Sequence, residues 1–174
     1  MASNEVESKD LHSVSRLSRD PGYASTMAQV RSVLSDDSSE AAAGETQAPT
    51  ASPSRDQELY ELLVSGMRYV NEIEGEIAAV HALLQDLYAP RFPELRELVK
   101  DPLDYARAVC ELGNEVEERC PGLERLLSPA LVMAVAVVAT TSSGTELTSG
   151  QLKAALEAAA RVLALDADRG AILA

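Results

Sequence analysis

The sequence predicts an all-α protein, and three observations support this fold class. Apolar residues between positions 63 and 87 recur at spacings of three and four, which puts them on one face of a helix. Asp101-Pro102 and Ser128-Pro129 each combine a capping residue with a proline, a pair that is typical of helix starts. No segment shows the period-two alternation of a strand. We expect an elongated antiparallel helical hairpin, or coiled-coil arm, with small N-terminal helices.

Composition limits the possible functions before any motif is considered. The 174 residues carry 15 Lys and Arg against 28 Asp and Glu, a formal net charge of −13, with five Tyr, one Phe and no Trp. Such a surface is poorly suited to following a phosphate backbone or stacking bases. The two Cys, at positions 110 and 120, exclude a disulfide-dense scaffold. No signal segment is readable, and the apolar run 130–139 is too short to span a membrane, so we expect a soluble intracellular protein.

The N-terminal third predicts little stable structure. Residues 1–34 contain two short runs of apolar residues at helical spacing: Leu11, Val14 and Leu17, then Met27, Val30, Val33 and Leu34. Asp20-Pro21-Gly22 between them predicts a turn, and a disordered tail with chance periodicity is the alternative. Residues 35–57 are rich in Ser, Thr, Ala and Pro and cannot bury enough apolar area to offset the entropy of ordering. We expect a flexible linker there.

The helical signal becomes strong from residue 58. The pattern predicts a helix over 58–88, which ends at Ala89-Pro90 because proline disfavours helical geometry in the residue before it. Its apolar face has the spacing of a coiled-coil seam and consists of Leu63, Met67, Val70, Ile73, Ile77, Val80, Leu84 and Leu87. Gly66 and Gly75 within this helix indicate either a break or the close approach of another helix.

Three further helices are predicted, over 102–118, 130–141 and 149–165. The first two follow the Asp-Pro and Ser-Pro starts, and Pro121-Gly122 between them predicts a turn. Residues 130–141 are rich in Val and could form a buried strand, but their start favours a helix, whose apolar stripe 131–138 we expect in the core. The seam of the last helix is predicted to be Leu152, Leu156, Ala159 and Leu163.

No arrangement of catalytic or metal-binding residues is evident in the sequence. His81 lies in the predicted long helix without the spacing of a metal site, and His12 lies in the N-terminal segment. Cys110 and Cys120 are interpreted as reduced thiols. Two acidic clusters are interpreted as solvated helix faces: Glu72, Glu74 and Glu76, and Glu115, Glu117 and Glu118. We predict no catalytic residue, no cofactor and no metal.

One block of the sequence is specific enough to suggest a family. Residues 73–114 contain IExE, then YxxRFPEL, LDY and ELGN, and this combination resembles the pre-mRNA-processing factor 31 family of the U4/U6 small nuclear ribonucleoprotein. Related snoRNA-binding scaffold proteins share FPEL but usually have His where this chain has Arg91. The motif residues are Tyr88, Arg91, Phe92, Pro93, Glu94, Leu95, Asp104, Tyr105, Glu111, Leu112, Gly113 and Asn114. A weaker upstream resemblance favours a partly ordered helix over 23–34.

The resemblance implies a non-catalytic nuclear scaffold that acts in tri-snRNP assembly and pre-mRNA splicing, with tri-snRNP proteins binding its helix faces. In the family, a basic Nop domain that binds U4 snRNA and an L7Ae-like protein follows the helical region. We expect residues 58–174 to be the helical region and the Nop domain to be absent, so no RNA-binding residue can be assigned. A box C/D snoRNP core scaffold and a helical-bundle metal-binding protein around His81 are the alternatives.

The motif residues are expected to be structural. Phe92 is the only Phe and lies between two prolines, so we expect it to fill the core where the long helix turns back. Arg91 and Glu94 could instead form a patch that faces a partner. Gly113 is expected to permit a close helix crossing or a break, with a tolerated helical glycine as the alternative.

Overall fold

The computed structural model describes residues 11–40 and 53–174, with side chains described over 11–35 and 56–174. Within these ranges the chain forms α-helices and two 3-10 segments and no strand, which confirms the all-α class. The helices are α1 (Leu11–Val14), α2 (Pro21–Glu40), α3 (Pro53–Tyr88), α4 (Leu95–Leu98), α5 (Pro102–Leu112), α6 (Val116–Arg119), α7 (Pro129–Ala139) and α8 (Ser149–Leu173), and the 3-10 segments are Leu17–Arg19 and Cys120–Arg125. None of the described helices is long and apolar enough to cross a membrane.

Helices α3 and α8 form the centre of the fold. They run in opposite directions, because Arg161 meets Glu76 near the middle of the pair while Ile172 lies against Gly66, nearer the start of α3. Helix α5 packs on α8, and α2 contacts both α3 and α8. The elongated antiparallel hairpin stays a prediction, since four helices separate α3 from α8 along the chain.

Helices α2 and α3 extend further than the sequence predicts. Helix α3 begins at Pro53 rather than residue 58, with proline in the first turn, where its missing N–H leaves no bond unmade. Helix α2 continues past residue 34 to Glu40, since each residue added to an existing helix gains a hydrogen bond even without apolar contacts. The predicted linker 35–57 is therefore helical at both ends, and its remainder, 41–52, lies outside the described residues.

Asp20-Pro21-Gly22 starts helix α2 and does not form the predicted turn. The Asp20 carboxylate accepts a hydrogen bond from the Gly22 N–H at 2.8 Å, and Pro21 is the first helical residue. The start of α5 has the same chemistry, with Asp101 accepting bonds from two N–H groups of the first turn. The Asp-Pro pair thus marks a helix start at both positions.

The predicted seam of α3 is buried in its middle and exposed at its start. Its buried members are Val70, Ile73, Ile77, Val80 and Leu84. In contrast, Leu63 and Met67 are 57% and 47% exposed, because α8 covers α3 only as far as Ile172 opposite Gly66. A Cβ on Gly66 would lie 3.0 Å from the Ile172 side chain, so this glycine allows the close approach of another helix.

Helix α5 ends at Leu112 and not at the predicted residue 118, because Gly113 stops it. Gly113 has φ 52° and ψ −129°, a conformation that a residue with a Cβ disfavours. No described atom lies within 4 Å of where its Cβ would be, so this glycine makes a break and not a close crossing. The chain continues through α6 and the second 3-10 segment, which contains the predicted turn at Pro121-Gly122.

Helix α7 exposes part of the stripe that the sequence places in the core. Pro129 starts the helix as predicted, although Ser128 makes no side-chain capping bond. Val135 is fully buried, whereas Met133 and Val137 are 71% and 63% exposed. A helix that is apolar on all sides packs only one face against its neighbours, so the rest of its apolar surface stays outside the core.

Helix α8 is longer than predicted, and of its predicted seam only Ala159 is fully buried. A capping box between Thr148 and Gln151 starts it, and it runs to Leu173 rather than residue 165. Its buried residues are Ala155, Ala158, Ala159, Val162 and Leu165, while Leu152, Leu156 and Leu163 from the predicted seam are only half-buried. Small side chains let two helix axes approach closely, so the alanines occupy the line of contact and the leucines flank it.

Candidate functional site

Part of the family motif converges at one junction, where α3 ends, α5 ends and the loop 140–148 passes. Tyr88, at the end of α3, is fully buried, and its hydroxyl donates to the Gly113 carbonyl oxygen at 2.7 Å. Burial raises the pKa of Tyr88 far above its ordinary value, which keeps the hydroxyl protonated as a donor. The bond ties the end of α3 directly to the break after α5.

Arg91 and Asn114 extend this junction. The Arg91 guanidinium donates two hydrogen bonds to the Asn114 carbonyl oxygen, from Nε at 2.9 Å and Nη2 at 2.7 Å. The Asn114 side chain pairs with the backbone of Leu147 in both directions, with Nδ2 donating at 2.9 Å and Oδ1 accepting at 3.0 Å. The Arg91 guanidinium therefore binds within the chain, and this geometry argues against the alternative prediction that Arg91 faces a partner.

The FPEL residues of the motif attach the junction to the core and to the loop 140–148. Phe92 and Leu95 are fully buried, whereas Pro93 is exposed. Glu94 accepts a hydrogen bond from the Ser142 hydroxyl at 2.9 Å, which attaches the loop 140–148 to the start of α4. A Cβ on Gly144 would overlap the Arg91 carbonyl oxygen, at 1.7 Å, so only glycine fits where the loop crosses the chain.

The remaining motif residues lie along α5 and not in this network. Tyr105 and Leu112 are buried in the core, and burial raises the pKa of Tyr105. Asp104 forms an ion pair with Arg107 at 3.2 Å, within the same helix. Glu111 is half-buried beside Gly122, where a Cβ would meet its carboxylate. The motif therefore combines junction residues with ordinary core and helix-surface residues.

A second polar centre, Glu76, was not predicted from the sequence. Its side chain is buried and joins three parts of the chain. Its carboxylate accepts hydrogen bonds from the Ser15 hydroxyl at 2.7 Å and from the backbone N–H groups of Arg16 and Leu17, both at 2.8 Å. Arg161 from α8 donates to it at 2.7 Å. Glu76 thereby holds the N-terminal segment, α3 and α8 together.

The surroundings of Glu76 favour its ionised form. Burial by itself raises the pKa of Glu76, but hydrogen bonds from the Leu17 N–H, Arg161 and Ser15 outweigh it and lower the pKa below its ordinary value of 4.5. The interpretation of Glu72, Glu74 and Glu76 as one solvated face is therefore wrong for Glu76. A signal was available, because Glu76 follows Ile73 by three residues and precedes Val80 by four, on the buried face of α3.

The residues considered for metal chemistry are not brought together. The His81 side chain is half-buried, and burial lowers its pKa. Its ring packs edge-to-face with the Tyr105 ring at a centroid distance of 5.2 Å, and its Nε2 lies 3.0 Å from the Gln85 Nε2. Cys110 and Cys120 are free thiols, and Cys120 is buried with its sulfur 3.0 Å from the Val116 carbonyl. Across the part of the chain that the structure describes, no three His, Cys, Asp or Glu residues are grouped as metal ligands would be.

Comparison with known proteins gives one family. Residues 69–174 match the Nop family, described as a snoRNA binding domain, fibrillarin. The chain is 37% identical over 164 residues to the U4/U6 small nuclear ribonucleoprotein Prp31 homolog of Arabidopsis thaliana, which covers 94% of this chain and 32% of that protein. Identity to U4/U6 small nuclear ribonucleoprotein Prp31 of Homo sapiens is 37% over 113 residues, 63% of this chain and 22% of the relative.

A more distant relative is a nucleolar protein. Nucleolar protein 58 of Botryotinia fuckeliana is 26% identical over 91 residues, 52% of this chain and 16% of that protein. The chain thus spans about a third or less of the length of the curated relatives it matches.

Replacing Glu76→Gln should destabilise the fold. Gln has a similar shape but no charge, so Arg161 loses its counter-ion in a site that is largely shielded from water. Removing one partner of a buried ion pair costs about 3–5 kcal/mol, and we expect the lower end because Arg161 is 18% exposed. Urea unfolding measures the change. Glu74→Gln is the matched control, since that carboxylate is 57% exposed and should contribute less than about 1 kcal/mol. Equal losses in the two variants would contradict the assignment.

Glu76 should also make stability depend on pH. Because its pKa is lower in the folded chain than in the unfolded chain, its contribution is present above the ordinary pKa and is lost as the pH falls through the lowered folded value. The difference in unfolding free energy between the wild type and Glu76→Gln should therefore narrow below about pH 4.5. Urea titrations at a series of pH values test this. A difference that stays constant into the acid range would show that Glu76 is not the titrating group.

Proposed function

This chain belongs to the Nop family and, within it, to the Prp31 group, and from this membership we propose that it is a non-catalytic scaffold subunit of the U4/U6 snRNP. Its role would be in tri-snRNP assembly and pre-mRNA splicing in the nucleus. The observation that supports this best is the similarity to a Prp31 relative along almost the whole chain, which includes the N-terminal segment as well as the central motif.

The geometry is suited to a scaffold. The hydrogen bonds of Tyr88, Arg91 and Asn114 fix the direction in which the chain leaves α3, while Glu76 fixes the N-terminal segment against the same helix. A surface held by such contacts loses little conformational entropy when a partner binds, and this favours affinity. We propose that tri-snRNP proteins bind the exposed helix faces that these contacts hold in position.

A non-catalytic role agrees with how the polar side chains are used. The motif residues Arg91, Glu94 and Asn114 make hydrogen bonds within the chain and do not converge on an open cleft. An active site needs polar groups directed at a position that a substrate can occupy. The metal-binding alternative around His81 has less support, because among the described residues His81 is not grouped with two further His, Cys, Asp or Glu residues that could hold a metal ion.

A box C/D snoRNP core scaffold is the nearer alternative, since the nucleolar relative belongs to the same family. The lower identity and shorter match to that relative favour the splicing particle. Arg91 supports the same choice, because in this chain its guanidinium forks onto the Asn114 carbonyl oxygen, a contact that a histidine ring could not make with two donors.

A pull-down from nuclear extract tests the proposal. The tagged chain should recover U4/U6 and U5 snRNP proteins, while the box C/D alternative predicts fibrillarin instead. A variant with Asn114→Ala serves as a structural control, because it loses the pairing with Leu147 and should weaken the junction by about 1–3 kcal/mol. Recovery of no tri-snRNP protein by the folded wild type would refute the assignment.

We further propose that residues 58–174 do not supply an RNA-binding surface. They hold ten Lys and Arg against nineteen Asp and Glu, a net charge of −9. The densest basic group is not available as a patch, because Arg91 binds a carbonyl oxygen and Arg96 and Lys100 both lie beside Glu97. Because residues 69–174 match a family described as a snoRNA binding domain, an RNA-binding assay on this chain decides the point.

RNA binding by this chain should accordingly be weak and unspecific. In a gel-shift assay at about 0.15 M salt, it should bind a U4 stem no better than an unrelated stem-loop, because affinity for phosphates follows the number of cationic contacts. Lowering the salt should strengthen both interactions by the same small amount. Tight binding that prefers the U4 stem would show that an RNA surface lies within these residues.

A further inference from the structure

The first turns of α3 expose an apolar stripe. Its members are Leu59, Tyr60, Leu63, Val64 and Met67, each more than two-fifths exposed. Leu63 and Met67 continue the seam that α8 covers further along α3, so the stripe is an extension of an existing helix contact. Single exposed apolar residues are common, but five on adjacent turns of one helix form a continuous patch.

This stripe borders a groove between three helices. The groove has a volume of about 180 Å³ and is lined almost wholly by apolar side chains. Val33 and Leu34 of α2 form one wall, Leu59 and Leu63 of α3 form the other, and Ile172 of α8 closes one end over Gly66. Such a groove between helices is the shape that binds the apolar face of an amphipathic helix.

The exposed surface beside the stripe is acidic. Residues 56–67 hold three Asp and Glu and no Lys or Arg, and Arg68, just beyond them, is paired with Glu72 at 3.4 Å. Asp56 and Glu61, on the first turns of α3, are exposed beside the stripe. Arg31, the nearest basic residue on α2, is bound to Asp168 at 2.5 Å and does not offset them. A bound segment would therefore be favoured by Lys and Arg on its flanks and opposed by acidic residues.

We propose that this groove binds an amphipathic helix of a partner protein, with apolar residues facing the stripe and basic residues along its edges. The proposal rests on the scaffold function and specifies the surface and the chemistry of one partner. A second copy of this chain is a poor occupant, because each copy carries a net charge of −13 and would bring the same acidic surface to the contact.

A designed peptide tests the groove directly. The probe is a fluorescein-labelled helix of about 18 residues with Leu at positions i, i+3, i+4 and i+7 and Lys on both flanks, and its matched control has Glu on the flanks. Fluorescence anisotropy with the 174-residue chain at about 0.15 M salt should show that the Lys-flanked peptide binds roughly tenfold or more tightly than the Glu-flanked one.

Variants locate the binding. The double variant Leu63→Ser with Met67→Ser should weaken binding of the Lys-flanked peptide roughly tenfold, because it removes two exposed apolar side chains that the peptide would cover. Glu61→Lys should weaken it by about threefold and reduce its salt dependence. The matched control, Met133→Ser with Val137→Ser on α7, removes apolar residues that are at least as exposed and should leave affinity unchanged. Circular dichroism verifies that every variant is folded.

The proposal is overturned if neither peptide binds, if both peptides bind with equal affinity, or if the α7 control variant loses as much affinity as the Leu63 and Met67 variant. A dimer in sedimentation equilibrium that the Leu63 and Met67 variant abolishes would assign the groove to a second copy instead. The pull-down separates this proposal from the scaffold function. If the chain recovers tri-snRNP proteins but binds neither peptide, only the groove proposal is refuted. If the chain binds the peptide but recovers no tri-snRNP protein, only the scaffold function is refuted.

Discussion

The buried carboxylate of Glu76 is the interaction on which the arrangement of the chain depends. A charge removed from water is stable in a fold only when several donors replace the lost hydration. Here the donors come from the N-terminal segment and from α8, which both pack against α3. Ser15 and Arg161 also contact each other at 3.0 Å, so the three partners form a closed set. Satisfying one charge therefore brings together segments that are distant in sequence.

Glu76 and the junction at Tyr88 determine two different features of how α3 is placed. Glu76 lies near the middle of the helix and sets which face meets α8, while the junction sets where the chain goes after the helix ends. Between them, the side chains of the helix that are buried are apolar, namely Ile77, Val80, Leu83 and Leu84. This combination of a few specific polar contacts with a larger apolar core is how a helical protein selects one arrangement among several of similar packing.

The sequence predicts the elements of this fold better than their contacts. Periodicity identifies α3 and α8, and the Asp-Pro pair identifies the start of α5, because these signals are local. The spacing of Glu76 from Ile73 and Val80 indicates its burial, but the sequence does not show that Arg161 lies opposite it. The alanine contact line of α8 was missed for a related reason, because Leu is the expected seam residue until the distance to the neighbouring helix is known.

In the candidate site, too, the residues could be predicted from the sequence but most of their contacts could not. The motif residues could be listed from the sequence, and Phe92 could be predicted to be buried from its two flanking prolines. The partners of Arg91 and Asn114 could not, because they are backbone atoms of residues whose identity gives no signal. The sequence likewise did not show that the start of α3 is exposed, since the regular apolar pattern gives no sign of where α8 stops covering the helix.

The choice of backbone atoms as partners has a consequence for how the loop 140–148 can change. Tyr88 and Arg91 bind the carbonyl oxygens of residues 113 and 114, and Asn114 pairs with the N–H and carbonyl of residue 147. Every amino acid except proline offers the same two groups, so the hydrogen bonds do not depend on the side chain at position 147, whereas the burial of Leu147 in the core does favour an apolar one. A one-residue insertion or deletion before it would instead move both groups out of reach. These hydrogen bonds therefore constrain the length of the loop, while Ser142, Gly144 and Leu147 constrain its composition through their own contacts.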